Sequence, residues 1–535
     1  MNLAWWLETG AWEYPDKTAI INPDGSEITY SELNQLSNRI ANLLRDRYAI
    51  RPDDVVTTLA GETHWHVAIM FGLWKIGAVV CPLNRTQTYP KFVQDIRITR
   101  AKLLIVEPKF LDVAMRLSAE QEIPNAVLLG EQSDAFPDFK TLVRDAGDQI
   151  RMTPRANADL AIINFTTGTT GPSKGAMLPH GALVTSYLSG MHWAGMKSSD
   201  RGLCPLYLFH AGGLSIVLTG LVAHSTVIMM GEPWNSDRFI DLMERYRPDW
   251  VFIMVPVMTR DLGRNPRFAG LDCSGVRLHL AGEPVHPEVQ KLWEDRGART
   301  LILYGMTESM AVCVTLNSFY YGDDQSVGKG LVGKPNREFG EVKLIDPLTR
   351  EELTEPGIRG ELCFRGDVLT PGYYNDPART RESIDPEGWF HTFDLAVRNS
   401  EGYFTVGGRT DDIISSGGEK LSLIEVENAI LQAPFVKDAA CIGVPHTRFG
   451  HSPAAIVAPA EDLEENELMN RLDEFLRENL ERWKRPRLVI RVDEVPRTLA
   501  KRTKIWPKLR ELIQGIELSG EGVTTLTAYR REHGD

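Results

Sequence analysis

The sequence predicts an α/β protein: a large N-terminal domain of stacked α/β layers with a β-rich subdomain, then a small α+β C-terminal domain. Three observations carry this. Short apolar runs of strand length alternate with amphipathic stretches over most of the chain. From about Gly340 the text becomes GEVKLIDPLTREELTEPGIRGELCFRG, alternating apolar and polar residues between turn signals as antiparallel strands do. Further on, the polar, glycine-led run Gly407-Gly408-Arg409-Thr410-Asp411-Asp412 precedes a fresh α/β pattern that begins at Leu421. These features divide the chain into residues 1–407 and 413–535, joined over 408–412, with the β-rich subdomain at about 335–407.

Taken in order, Tyr30–Asp46 (YSELNQLSNRIANLLRD) repeats apolar residues at i, i+3 and i+4 and predicts an amphipathic helix. Val55–Leu59 follows as a strand, residues 64–76 (HWHVAIMFGLWKI) as a helix, and Leu103–Val106 as a strand. Residues 160–165 read as a strand, with the next helical pattern expected from about Leu183. Residues 251–255 and 300–304 are further apolar strands. In the last unit, residues 424–432 and 464–480 carry helical patterns, and no internal repeat is present.

With 535 residues, 43% of them hydrophobic, the chain can bury a large core across several lobes. A formal net charge of -13 argues against a protein that holds nucleic acid by its phosphates. Six scattered cysteines without a CxxC pair suit a reducing compartment and provide neither a zinc site nor a disulfide framework. The start MNLAWWLETGAWEYPDK has no basic leader, and the longest apolar runs are too short to span a bilayer, so the reading is cytoplasmic with no integral membrane segment.

The densest chemical signal is FTTGTTGPSKG, Phe165 to Gly175, with four threonines, three glycines and one lysine in eleven residues. Hydroxyl donors, amides freed by glycine and one ammonium make an anion cradle. It is not a Walker loop, because Lys174 is followed by Gly175 and the glycine spacing differs. A Ser/Thr/Gly surface turn is the plain alternative, outweighed by the density of donors. A second pattern, Gly328-Lys329-Gly330-Leu331-Val332-Gly333, fits G-x-G-x-x-G, yet polar GDDQSV precedes it and Pro335 follows. That context excludes a dinucleotide fold.

FTTGTTGPSKG resembles the phosphate-binding signature of the adenylate-forming superfamily, which includes acyl-CoA synthetases, luciferases and peptide-synthetase adenylation domains. PLYLFHAGGL, LAGEP, YGMTE, GELCFRGDVLTPGYYNDPART, GWFHTFDLA, GGRTDDIISSGGEKLSLIEVE and VPRTLAKRTKI follow in the family's order. The resemblance covers nearly the whole chain. It implies a carboxylate–CoA ligase that first forms an acyl-adenylate and pyrophosphate from ATP, then transfers the acyl group to a thiol with release of AMP. ATP, Mg²⁺ and coenzyme A are the implied cofactor and co-substrates.

The resemblance further implies roles. Thr166, Thr167, Gly168, Thr169, Thr170 and Lys174 would hold the β- and γ-phosphates, Glu308 the magnesium ion, and Thr307 the α-phosphate. Tyr304, with Gly305 next to it, would lie against adenine, with Ala281, Gly282 and Glu283 along its edge. Asp394 would accept the ribose hydroxyls and Arg409 donate to ribose or phosphate. The C-terminal lobe would be mobile about Asp411, with Gly417, Gly418 and Glu419 lining the pantetheine path. Arg482, Lys484, Arg485 and Arg487 could meet coenzyme A phosphates, though a solvated basic face is the better reading.

Two departures stand out. The family's T-G-D is here Thr392-Phe393-Asp394, a bulky ring in place of glycine, which leaves the backbone there open. The catalytic lysine motif P-R-T-x-x-G-K is here Pro496-Arg497-Thr498-Leu499-Ala500-Lys501-Arg502-Thr503-Lys504. Lys501 is favoured, with Arg502 and Lys504 as alternatives, because arginine and lysine are not equivalent at such a site.

His210, after Phe209, stands where amino-acid-adenylating relatives carry an aspartate, so no counter-ion for a substrate ammonium is present. The walls 209–213, 254–257, 281–283 and 306–311 are apolar and methionine-rich, pointing to a fatty or other hydrophobic carboxylate. Two alternatives stay open: an acyl-AMP ligase that loads a carrier protein, and a non-catalytic synthetase-like binding protein. A homodimer is also left open.

Overall fold

The computed structural model describes the chain except for residues 131–132, 167–173, 232, 283–284, 286, 310–315, 318–332, 336–339, 348, 411–412, 417–418, 462, 497–503, 505, 520–526 and 529–535. Among the described residues, an eight-stranded and a six-stranded sheet form the α/β layers. Most of their pairings are parallel, as βαβ crossovers demand.

The two sheets share one core. Val56, Val80, Leu103 and Ile162 of the six-stranded sheet, and Ala19, Val227 and Trp250 of the eight-stranded one, belong to a single buried cluster. Helices His64–Lys75 and Ala211–Val222 lie in this layer. Both are apolar all round and buried along nearly their whole length, as a helix covered on both faces must be. Tyr30–Asp46 is instead amphipathic. It begins with a capping box, Thr29 accepting from the Glu32 amide while Glu32 accepts from the Thr29 amide.

A four-stranded antiparallel sheet, Glu341–Ile345, Arg359–Arg365, Phe390–Arg398 and Phe404–Arg409, packs Leu344, Leu362, Ala396 and Phe404 onto the far face of the eight-stranded sheet. From Ile413 onward the strands join a separate sheet covered by helices Leu423–Leu431 and Glu465–Asn479. With one exception, the strands and helices expected over the described residues are present within one or two positions.

One expectation is corrected. The helix after the glycine loop begins at His180, not near Leu183, and a strand, Lys174–Pro179, precedes it. Its first turn is set by distant contacts, since the His180 ring accepts from the Leu3 amide at 3.2 Å. The G-x-G-x-x-G text lies outside the described residues except for Gly333, which bridges to Phe404 on the edge of the antiparallel sheet. Cys81, Cys204, Cys273, Cys363 and Cys441 are buried free thiols, and Cys313 lies outside the described residues. Among the described residues no helix is long and apolar enough to cross a membrane.

Burial, with Arg85 nearby, lowers His66 to a pKa of about 3; burial likewise takes His180 and His279 to about 3. These rings stay neutral in the folded chain, while the unfolded chain binds protons below about pH 6.5. The folded state therefore loses about 1 kcal/mol per histidine for each pH unit below that point. Urea unfolding should show a lower midpoint at about pH 5.5 than at about pH 7.5.

Candidate active site

The candidate site lies at the carboxyl ends of parallel strands, where open α/β sheets bind ligands. Trp250–Met254 leads into Val255, Arg277–Leu280 into Ala281 and Gly282, and Arg299–Tyr304 into the turn Thr307–Ser309 that holds Glu308. Gly282 has φ +89°, and a Cβ there would stand 2.9 Å from Val255 Cγ1. Glycine alone satisfies both demands.

The six-stranded sheet contributes a hairpin. Leu160–Thr166 pairs antiparallel with Lys174–Pro179, and Thr166 opposes Lys174. The hairpin tip with Thr167, Gly168, Thr169 and Thr170 lies outside the described residues, as does Glu283. Lys174 is half-buried, and its ammonium sits 5.6 Å from the centre of the Tyr373 ring. Burial, then Arg379, lowers its pKa, while Glu308 and Glu382 oppose the shift.

The sequence assigned no role to Tyr373, although it lies inside the quoted GELCFRGDVLTPGYYNDPART. Its phenol donates to Glu308 Oε1 at 2.7 Å, and both side chains are buried. The segment before it ties three parts together. Thr370 donates its amide to the Glu308 carbonyl and its hydroxyl to Met177 in the hairpin. The Met177 amide donates to Gly372, whose φ of +137° and tight contact with Thr380 admit no side chain.

Asp394 and Arg409 are cross-strand partners in the antiparallel sheet. Arg409 Nη1 donates to Asp394 Oδ1 at 2.9 Å, and the Tyr304 hydroxyl donates to Oδ2 at 2.6 Å. Burial raises the Asp394 pKa, and Arg409 opposes that rise. Each carboxylate oxygen keeps a further lone pair for a ligand hydroxyl.

Phe393 answers the question raised by the missing glycine. Its φ is +58°, the left-handed conformation that glycine adopts freely and other residues adopt at a cost of about 1 kcal/mol. The backbone turn survives the substitution, and its amide donates to Glu361 Oε1 at 3.3 Å.

Asn164 of the hairpin donates to the Phe209 carbonyl at 3.0 Å; Tyr207 and Phe209 stack with centroids 5.0 Å apart and planes 9° apart, and His210 packs 4.6 Å from Phe209. His210 is buried and immediately precedes the helix Ala211–Val222. Behind the rings, Arg85 lies 5.5 Å from the Phe209 centroid and donates to Glu62, whose Oε1 also accepts the Leu208 amide at 3.2 Å. This buried ion pair was not seen in the sequence, because two lone charges 23 residues apart carry no pattern.

In the C-terminal lobe, Lys501, Arg502, Asp411, Gly417 and Gly418 lie outside the described residues. Glu419 opposes Ser416 where the antiparallel strands Ile413–Ser416 and Glu419–Ser422 pair. Lys504 is ion-paired with Glu427. Lys484 pairs with Glu425, Arg485 donates to the Leu480 carbonyl, and Arg487 contacts His446, so three of the four basic residues are engaged within the lobe.

Removing the Tyr373 hydroxyl strips one donor from a buried carboxylate, a loss of about 1.5–3 kcal/mol. Tyr373→Phe should reduce acid-dependent pyrophosphate exchange by about tenfold or more while leaving the circular dichroism spectrum unchanged.

Known proteins resemble the chain over nearly its whole length. The family model described as AMP-binding enzyme matches residues 7–374, and that of the AMP-binding enzyme C-terminal domain matches residues 425–501. A feruloyl-CoA synthase of an Amycolatopsis species is 30% identical over 489 residues, 90% of this chain and 94% of that protein. An indoleacetate–CoA ligase of Aromatoleum aromaticum is 27% identical, covering 93% of this chain and 96% of that protein. The crystal structure of ATP-bound MatB from Rhodopseudomonas palustris superposes with a TM-score of 0.83 at 26% identity, covering 96% of this chain and 99% of that one. The chain belongs to the AMP-binding enzyme family, among its adenylate-forming acid–thiol ligases.

Proposed function

We propose that the chain is an ATP-dependent carboxylate–CoA ligase acting on an aromatic acid rather than a fatty one. The observation that carries this reading is the flat Tyr207–Phe209 stack with His210, tied to the strand that leads into Thr166 by the Asn164 side chain, which donates to the Phe209 carbonyl; residues 207–210 themselves carry no carboxylate to pair with an ammonium. The activities named for the feruloyl-CoA and indoleacetate relatives support it.

In the first step a substrate carboxylate oxygen attacks the α-phosphorus and the bond to pyrophosphate breaks. The main obstacle is repulsion between two anions, which fixed cations and donors offset. Thr166, Lys174 and the hairpin tip would hold the leaving phosphates, and Thr307 the α-phosphate. Tyr304 would pack on adenine, with Asp394 and Arg409 on the ribose. Glu308, a buried carboxylate whose Oε1 accepts from Tyr373, would hold a magnesium ion. When bound, that ion supplies charge neutralisation on the phosphates.

In the second step the coenzyme A thiol attacks the acyl carbonyl and AMP leaves. We assign 1–407 and 413–535 as the two domains, 408–412 as the connection with Asp411 as hinge, and Gly417, Gly418 and Glu419 to the thiol path. The left-handed turn at Phe393 supports a working nucleotide site over a non-catalytic protein.

Purified protein with ATP, Mg²⁺, coenzyme A and a panel of hydroxycinnamic, indoleacetic, benzoic and saturated fatty acids tests this reading. AMP release should need both acid and coenzyme A, with kcat/KM at least about tenfold higher for aryl acids. Pyrophosphate exchange indifferent to coenzyme A would move the assignment to a carrier-protein loader, and silence across the panel would overturn the enzyme.

Lys504 is tied to Glu427, which favours Lys501 as the lysine that meets carboxylate and α-phosphate. Lys501→Ala should cut pyrophosphate exchange by about a hundredfold or more while thioester formation from ready-made acyl-adenylate persists. Lys504→Ala should instead lower the melting temperature by leaving Glu427 without its cation. Loss of exchange in Lys504→Ala or Arg502→Ala, with Lys501→Ala active, would reassign the role.

A further inference from the structure

The antiparallel sheet contains a cluster of chemically active side chains that the ligase reaction does not use. Glu361 and Cys363 lie two residues apart on one strand, and His391 opposes Cys363 on the next. All three are buried, with relative exposures of 1%, 0% and 5%. One ligand atom from each lies within 4.8 Å of the others. His391 Nδ1 is 3.3 Å from Cys363 Sγ and 3.3 Å from Glu361 Oε1. On the far side of the ring, Asp385 Oδ2 stands 3.6 Å from His391 Nε2.

We propose that Glu361, Cys363 and His391 form a binding site for a soft divalent cation of the Zn²⁺ class. Tetrahedral zinc with bonds of about 2.0–2.1 Å to nitrogen and oxygen and about 2.3 Å to sulfur sets its N···O edge near 3.3 Å and its N···S edge near 3.5 Å. Both observed separations match those edges to within a few tenths of an ångström. Asp385 supports the pattern through its charge: at 3.6 Å from Nε2 its carboxylate is too far for a direct hydrogen bond but favours the ring proton on that nitrogen, which leaves the Nδ1 lone pair toward the thiol and carboxylate. Arg350 binds Glu361 through Oε2 at 2.8 Å, which leaves Oε1 facing the cluster.

Thiolate and imidazole donors favour Zn²⁺, Co²⁺ or Cd²⁺ over Mg²⁺, which takes oxygen ligands. The site is thus chemically distinct from the carboxylate at Glu308. On entry of the ion the Cys363 S–H bond ionises, the S–metal bond forms, and one proton leaves to solvent. The site touches the nucleotide region through one atom, since Glu361 Oε1 also accepts the Phe393 amide, next to Asp394.

The test uses the full-length protein stripped with EDTA and titrated with Co²⁺, then with Zn²⁺ against a chromophoric chelator. One equivalent of Co²⁺ should give a thiolate charge-transfer band and tetrahedral d–d bands. Cys363→Ser should abolish the charge-transfer band and lower Zn²⁺ affinity at least about a hundredfold. Asp385→Asn, which removes only the partner of Nε2, should keep the thiolate band and lower affinity about ten- to a hundredfold. This second variant decides the matter if Cys363→Ser fails to fold. Absence of a thiolate band in the native protein, or equal Zn²⁺ affinity in native and Asp385→Asn proteins, would overturn the site.

Discussion

The hydrogen bond from the Tyr373 phenol to Glu308 closes a junction on which the rest of the site depends. Glu308 follows a strand of the eight-stranded sheet, and Tyr373 bridges the hairpin of the six-stranded sheet through Ala176. The same short segment carries Thr370 and Gly372, which fasten that hairpin to the Glu308 turn. Two sheets that share a core are thereby brought to a fixed spacing at the edges that face the candidate site. A buried carboxylate left without donors would cost more than the bond contributes, so the junction is held in one geometry.

Charge is arranged around this junction with the same economy. Lys174 and Arg409 bring positive charge from two different sheets, while Glu308 and Asp394 are each restrained by a tyrosine hydroxyl. The carboxylates stay oriented without needing an ammonium or guanidinium on every oxygen. Positive charge and lone pairs therefore face the candidate site. Behind the Tyr207–Phe209 stack a different solution operates. Glu62 and Arg85 pair in the interior, and the pair steadies the Tyr207–Phe209 stack through the Leu208 amide and the face of each ring.

Phe393 shows how a local rule can be broken while the geometry persists. A glycine would take φ near +58° without strain, and phenylalanine takes it here because both neighbours are held. Asp394 is fixed by Tyr304 and Arg409, Thr392 donates its hydroxyl to the Leu362 carbonyl, and the Phe393 amide itself is held by Glu361. The sheet therefore dictates the backbone, and the side chain follows.

By itself the sequence determined the alternation of layers, the strands and helices it named apart from the start of one helix, and the family, and it singled out Glu308, Asp394, Arg409 and Lys174 as candidates. These follow from local periodicity and contiguous motifs, which one stretch of chain carries whole. It could not reveal that Tyr373 holds Glu308, that Glu62 pairs with Arg85, that Lys504 is engaged by Glu427, or that Glu361, Cys363 and His391 converge. It placed the helix after the hairpin three residues late because the His180 turn is set by a contact to Leu3. Each of these depends on residues far apart in the chain meeting across strands and sheets. Only the tertiary structure decides that, because burial and hydrogen-bond geometry are properties of the packed whole.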